Sequence, residues 1–409
     1  MRDEYDIIVV GAGPSGSLAA RTAARECDVL LLEKRQEIGA PVRCAEAVLK
    51  RALLEFTQPE QRWISSHIRG YKIFAPDGST LEISAETFGI EGELAYILER
   101  KIFDRELAKS AARAGAQVKV RTPAKGVLIE NGRVNGVKIS SQGETFEVHA
   151  KVVIGADGIE SQVGRWAGID TALKLRDIGC GAQYLMADID VTEDVCEIYL
   201  GSRAAGGYAW VFPKGNKLAN VGVGMPASKL DNLRPINLLD EFVSRHFSDG
   251  KQLGLVMGAG PCSNELKTAV TNGLMLVGDA AHQCDPLSGG GITNAMESGQ
   301  IAGEVAIKAV QKGDASVNIL KEYEIRRRRS FFGKLQKHDY KIKEFVATLS
   351  DRDLDKLIRS LKGIKPQDMR VTNVAARLVT ANPRILLLLR DLVCLKKLAN
   401  SFMRENHYP

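Results

Sequence analysis

The chain has 409 residues, 44% of them hydrophobic and 26% charged, with a formal net charge of +6. That length allows two or three structural units with sizeable cores, and the composition is that of an ordinary globular protein, not of a disordered, fibrous or disulfide-rich one. The small positive charge favours anionic partners such as phosphates or anionic lipid surfaces, and no nucleic-acid partner is expected.

Seven cysteines (Cys27, Cys44, Cys180, Cys196, Cys262, Cys284 and Cys394) are scattered, and none forms a CxxC or a Cys/His cluster. No metal is therefore expected, and the isolated thiols predict a reducing, cytoplasmic setting. The N-terminus MRDEYDIIVVGAG lacks a charged segment followed by a long apolar one, so no signal peptide is expected. No run of about 18 apolar residues predicts a membrane-spanning helix.

The first predicted element is the short apolar strand IIVV, followed at once by Gly11, Gly13 and Gly16. In a strand–turn–helix unit the first glycine allows the tight turn. The second lets the backbone approach a pyrophosphate, and the third lets helix and strand pack closely. The helix start that follows offers free N–H groups to phosphates. A second strand, residues 29–32, ends at Glu33, whose carboxylate suits an adenosine ribose bearing a free 2′-OH. The unit predicts a dinucleotide site for FAD or NAD in preference to NADP.

Two later segments repeat the pattern of an apolar strand running into glycines. In VVIGADGIESQVGRWAG the strand runs into Gly155, Ala156, Asp157 and Gly158, and LMLVGDAAHQCDPLSGGGITNAMESG holds Gly278, Asp279 and a glycine-rich turn before a helix. These three segments, in this order, resemble the FAD-dependent group of the p-hydroxybenzoate hydroxylase type. The resemblance implies that Gly11, Gly13, Ser15 and Gly16 hold the pyrophosphate and Glu33 the ribose. It places Asp279 at the ribityl and pyrophosphate region and Arg100, in ERKIFDREL, at the phosphate or ribityl side. Ala124 would lie near adenine, and the helix opening at Gly291 and Ile292 would point at the flavin ring. A helix start favours the negative charge of a reduced flavin.

One departure concerns the electron donor. The hydroxylase pattern Asp-Gly-x-x-Ser-x-Val-Arg is met by Asp157, Gly158, Ser161 and Val163, but Gly164 follows and Arg165 comes one place late. No second GxGxxG supplies an NADPH site, so the donor is open between NAD(P)H and a ferredoxin-like protein.

The middle of the chain predicts a separate antiparallel sheet: CGAQYLMADID, CEIYLGS, GYAWVFPKGN and KLANVGVGM read as strands, with IRGYKIFAPDGSTLEI as a hairpin turning at Asp77 and Gly78. In GYAWVFPKGN, Tyr208, Trp210 and Phe212 fall at every second position and so on one face. Alone, that stripe reads as core. But Y-x-W-x-F-P is similar to the signature of the geranylgeranyl reductase family, and PVRCAE places Cys44 and Ala45 where that family has a cysteine near the flavin. The resemblance covers roughly residues 4–310. It implies that Tyr208, Trp210 and Phe212 line an apolar site for a polyprenyl chain.

His282 is read as a turn position beside the cofactor. From about residue 317 the pattern is helical, with Arg326 to Arg329 and further lysines and arginines among leucines. Such helices cover a core or lie on an anionic membrane surface. The segment around Val371 is expected to touch the lipid.

The expected fold is a Rossmann-like FAD-binding domain (1–60, 95–168 and 267–316) with an inserted antiparallel-sheet substrate domain (61–94 and 169–266) and a C-terminal helical region (317–409). The resemblance implies an FAD-dependent reductase of geranylgeranyl chains on a digeranylgeranyl glycerophospholipid, by hydride transfer and protonation. Cys44 and Tyr208 are candidate proton donors, with an ordered water as the third. A cytoplasmic location with peripheral contact to the membrane face follows from such a substrate. The alternative on the same fold is an FAD-dependent monooxygenase or epoxidase.

Overall fold

Parallel strands buried on both faces need continuous apolar runs, and the chain's first unit is assembled from them. The computed structural model describes residues 2–88, 91–204, 206–363, 371–388, 391, 393 and 394. It divides the chain into two units, the first comprising residues 1–42, 100–173 and 261–336.

In that unit the strand Glu4–Val10 lies between Val29–Leu32 and Glu144–Gly155, parallel to both, with Ile8 beside Leu30 and Val153. Gln117–Lys119 and Leu274–Leu276 extend the sheet in parallel on either side, and Val270–Thr271 adds an antiparallel edge. Strands Ala124–Glu130 and Arg133–Ser141 form a meander with the first half of Glu144–Gly155. Helix Pro14–Ala23 starts with proline at its first turn, where no N–H is required. Helix Ile292–Lys312 meets it so closely that a Cβ on Gly299 would stand 2.0 Å from the Ser15 carbonyl oxygen.

The second unit comprises residues 43–99, 174–260 and 337–409. Its seven-stranded sheet runs in the order Lys251–Pro261, Ile178–Ala187, Leu218–Pro226, Tyr208–Gly215, Val195–Tyr199, Gly70–Phe74, Thr80–Ser84. One face is covered by helix Pro235–His246, whose Leu239, Phe242 and Val243 pack on Met186, Val211 and Val221. A smaller sheet joins Ala47–Leu49, Ala95–Leu98 and Ile64–Ile68. Helix Asp351–Leu361 opens with a reciprocal cap between Ser350 and Asp353. It is tied to the sheet's turns: Asp351 accepts from the Ser202 N–H at 2.8 Å and hydroxyl at 2.7 Å, and Asp355 accepts from the Asp77 N–H at 3.0 Å.

The hairpin turn falls at residues 75–79 as expected, with Gly78 in the left-handed region. Three features differ from the sequence reading. Val195–Tyr199 pairs with Gly70–Phe74 in parallel, because the hairpin comes from a distant segment and needs no tight turn to join. The strand Lys251–Pro261 is absent from the sequence reading: its run Leu253, Leu255, Val256 and Met257 is broken by glycines, and Leu253, Leu255 and Met257 face solvent. The helical end of the chain is divided between the units: Leu320 and Tyr323 of helix Val317–Arg329 enter the first unit's core, and residues beyond 336 belong to the second. Residues 43–60 and 95–99 likewise group with the second unit.

Candidate active site

Gly11 has a φ of +109°, and a Cβ there would lie 2.2 Å from the Ala156 carbonyl oxygen. A Cβ on Gly16 would lie 1.8 Å from the Gly11 carbonyl oxygen, so two of the three loop glycines are required by close backbone approach. Gly13 differs: nothing stands within 4 Å of its Cβ position, and it opens helix Pro14–Ala23 with no side-chain cap. The helix start is therefore left bare toward open space, which is what an anionic pyrophosphate needs. Glu33, at the end of the neighbouring strand, accepts from the Ala12 N–H at 3.1 Å and the Arg35 N–H at 2.9 Å. Its carboxylate is thus anchored beside the glycine loop.

The other predicted residues of this unit gather at the same strand ends. Gly278 abuts Ser15, whose hydroxyl oxygen would be 2.8 Å from a Cβ there. Asp279 lies beside Gly291, which together with Ile292 starts the long helix; a Cβ on Gly291 would be 3.6 Å from an Asp279 carboxylate oxygen. Burial raises the Asp279 carboxyl above its ordinary range, opposed by the charge of Arg100. Arg100 itself forms a two-pronged pair with Asp104, at 2.7 and 2.8 Å. Ala124 begins its strand opposite Ile139 and packs on the core. His282 is buried with a φ of +58°, its Nε2 3.2 Å from the Thr171 carbonyl oxygen, so it braces the turn.

The Asp157 segment is structural in the same way. Asp157 accepts from the Val163 N–H at 2.9 Å, and the buried Ser161 hydroxyl donates to the Ala280 carbonyl at 2.9 Å. Gly164 is hemmed in, with a Cβ there 2.7 Å from Leu276 and 2.8 Å from Thr171. No longer side chain fits, and Arg165 turns to solvent instead.

In the second unit the aromatic stripe has an unexpected floor. Trp210 stands opposite Gly222 across the sheet, and a Cβ on Gly222 would be 2.2 Å from the indole ring; Gly224 and Gly181 lie under the same ring. The glycines of KLANVGVGM and CGAQ thus make the shelf on which the indole lies flat. Tyr208 meets it edge to face at 5.8 Å. The three rings share a face but not a role. Tyr208 and Trp210 are half-buried, whereas Phe212 is 6% exposed and belongs to a core with Ile68, Ala95, Ile97 and Cys196. Phe212 is therefore a core ring, while Tyr208 and Trp210 keep part of their surface exposed. Val371 begins helix Val371–Ala381, and its side chain lies outside the described residues, as does Arg370.

Cys44 is half-buried, and its loop is joined to the aromatic strand by residues that sequence reasoning missed. The Trp210 indole N–H donates to Gln183 at 3.0 Å, and the Gln183 amide donates to the Cys44 carbonyl at 3.2 Å. Asn220 donates to the Ala45 carbonyl at 3.3 Å, and Ala45 packs on the core that holds Phe212. Gln183 and Asn220 lie two strands and one strand away from Trp210. A polar residue alternating with apolar ones on the inward face of a strand was the only available signal.

The bare helix start, the two space-restricted glycines and the anchored Glu33 fit the pyrophosphate and ribose of FAD. Two family models match the chain, FAD dependent oxidoreductase over residues 6–190 and geranylgeranyl reductase catalytic domain over residues 177–261. Its similar relatives include the digeranylgeranylglycerophospholipid reductase of Methanocella arvoryzae, 52% identical over 388 residues, which are 94% of this chain and 98% of that protein. The protein of the same name from Methanosarcina mazei is 48% identical over 396 residues, with 96% and 97% covered. A solved structure from Thermoplasma acidophilum, described as geranylgeranyl bacteriochlorophyll reductase-like, matches with a TM-score of 0.90 at 40% identity, covering 95% of this chain and 99% of that one.

Proposed function

The chain belongs to the digeranylgeranylglycerophospholipid reductase family, and we infer that it is an FAD-dependent reductase saturating the double bonds of geranylgeranyl chains on a glycerophospholipid. When bound, FAD supplies the hydride for one alkene carbon, and the other carbon takes a proton. What remains for this chain's own residues is to hold the cofactor, align an apolar chain, exclude water and deliver that proton.

Gly11, Gly13, Ser15 and Gly16 would hold the pyrophosphate and Glu33 the ribose, with Ala124 toward adenine. Arg100, Asp279, Gly291 and Ile292 would take the ribityl and ring end, and the family resemblance assigns Cys44 and Ala45 to the flavin. An isolated alkene has no carbonyl to polarise it, so its protonation depends on an acid placed in apolar surroundings. Cys44 and Tyr208 are the candidates, one on the loop that Gln183 ties to Trp210 and the other against the Trp210 ring. The observation that carries this reading is the glycine shelf under Trp210. It leaves a flat, half-buried aromatic surface, suited to a hydrocarbon chain.

The reductant that restores FAD is of the NAD(P)H or ferredoxin class. The packing of Gly164 supports a donor that needs no guanidinium at that position. Among the described residues no helix is long and apolar enough to cross a membrane. A peripheral contact on the cytoplasmic membrane face would bring the enzyme to its lipid, and the exposed row of Leu253, Leu255 and Met257 supports one.

The test is to reduce the flavin without oxygen, add a geranylgeranyl glycerophospholipid, and follow flavin absorbance and lipid mass. Reoxidation in the absence of oxygen, with hydrogens gained in pairs, is expected. A flavin that stays reduced until air enters, with oxygen appearing in the lipid, would replace this reading with a monooxygenase.

A further inference from the structure

Lys214 ends the aromatic strand in what reads as a surface turn, yet its side chain is only 5% exposed. Its ammonium lies 2.5 Å from Glu46 and 2.8 Å from Glu99, and donates to the Leu98 carbonyl at 3.1 Å. The Glu46 carboxylate, 6% exposed, also accepts from Asn220 at 2.8 Å. Glu46 has a φ of +73°, a left-handed conformation that glutamate rarely adopts and that its surroundings must enforce. In that conformation the Glu46 backbone N–H donates to the Cys44 sulfur at 3.2 Å.

We propose that Lys214 is a positioning residue for Cys44. Its buried pair with Glu46 fixes the left-handed turn that aims the Glu46 N–H at the cysteine sulfur. The proposal rests on the reading of Cys44 as a group at the reaction centre. Removing one partner of a buried pair leaves the other charge uncompensated. Without Lys214 the Glu46 carboxylate loses its buried partner and must move, which releases the turn. The sulfur then loses a donor that favours its thiolate and fixes its direction. Ionisable groups on the loop and on the elements packed against it include Arg43, Glu46, Tyr71, Tyr96, Glu99, Cys196, Tyr208 and Lys214.

The test is Lys214→Met in the flavin-loaded protein, read by iodoacetamide alkylation of Cys44 against pH, with the modified peptide quantified by mass. The alkylation midpoint is expected to rise by about one pH unit. With lipid as substrate, kcat should fall about tenfold while KM changes less than about twofold. An unchanged alkylation profile in a folded variant overturns the proposal. Should Lys214→Met not fold, Asn220→Ala removes another donor to Glu46 without uncovering a charge. It must then move the midpoint in the same direction, or the proposal fails. Full lipid turnover by Cys44→Ser would instead remove Cys44 from the chemistry, a separate failure that alkylation does not report.

Discussion

Arg327 is completely buried in the middle of the run from Arg326 to Arg329, 3.4 Å from Glu297 and 3.8 Å from Glu265. Its neighbours are also engaged, Arg326 with Glu304 and Arg328 with Glu324. A run that reads as a basic stripe is therefore largely neutralised within its own unit. Leaving Glu297 and Glu265 without Arg327 should destabilise the Arg327→Met variant by about 3–5 kcal/mol. The pH dependence has a definite sign. Burial raises Glu297 above its ordinary value of 4.5, and Arg327 opposes that rise. A carboxyl with a raised folded value stabilises the fold while protonated, and the contribution is lost as pH climbs from the ordinary value through the raised one. In Arg327→Met only the Ser330 hydroxyl still opposes the rise, so the melting temperature should drop more steeply above pH 4.5 than in the parent. Equal slopes would show that Glu297 does not sense Arg327.

At the level of elements, the strand Tyr208–Gly215 and the glycines of its neighbour act as one device. A Cβ on Gly222 falls inside the indole of Trp210, so Gly222→Val should lift the ring from its shelf at a cost of about 1–3 kcal/mol. Lipid KM should rise with a smaller change in kcat, and tryptophan emission should shift. Unchanged emission and kinetics would mean that the shelf does not shape the site. The glycine loop with Glu33 was legible in the sequence because all its parts lie in one strand–turn–helix–strand unit. The period-two rings were legible too, but not their division of labour. Phe212 is claimed by Ile68, Ala95 and Ile97, which come from another sheet far earlier in the chain. Lys214 was hidden for the same reason, since Glu46 lies 168 positions away.

For the molecule as a whole, the chain passes between its two units five times, after residues 42, 99, 173, 260 and 336. Motif order revealed the flavin unit, whereas the assignment of residues 43–60 to the other unit depended on pairings that no local pattern announces. The first unit's sheet needs Leu274–Leu276 beside Glu144–Gly155, and helix Pro14–Ala23 needs Ile292–Lys312 against it. A chain ending at residue 273 should therefore bind no FAD and melt without a cooperative transition, as read by flavin fluorescence and circular dichroism. Tight flavin binding by that fragment would show that the glycine loop folds alone.

The same threading sets a timetable for synthesis on the ribosome. Val10 pairs with Gly155, so the first strand must wait for 145 further residues before its inner neighbour exists. At roughly 5–20 residues per second that is about 7–30 s, during which an apolar strand has one edge unpaired. The N-terminal segment should accordingly be an early client of nascent-chain chaperones, long before the flavin site it begins is complete.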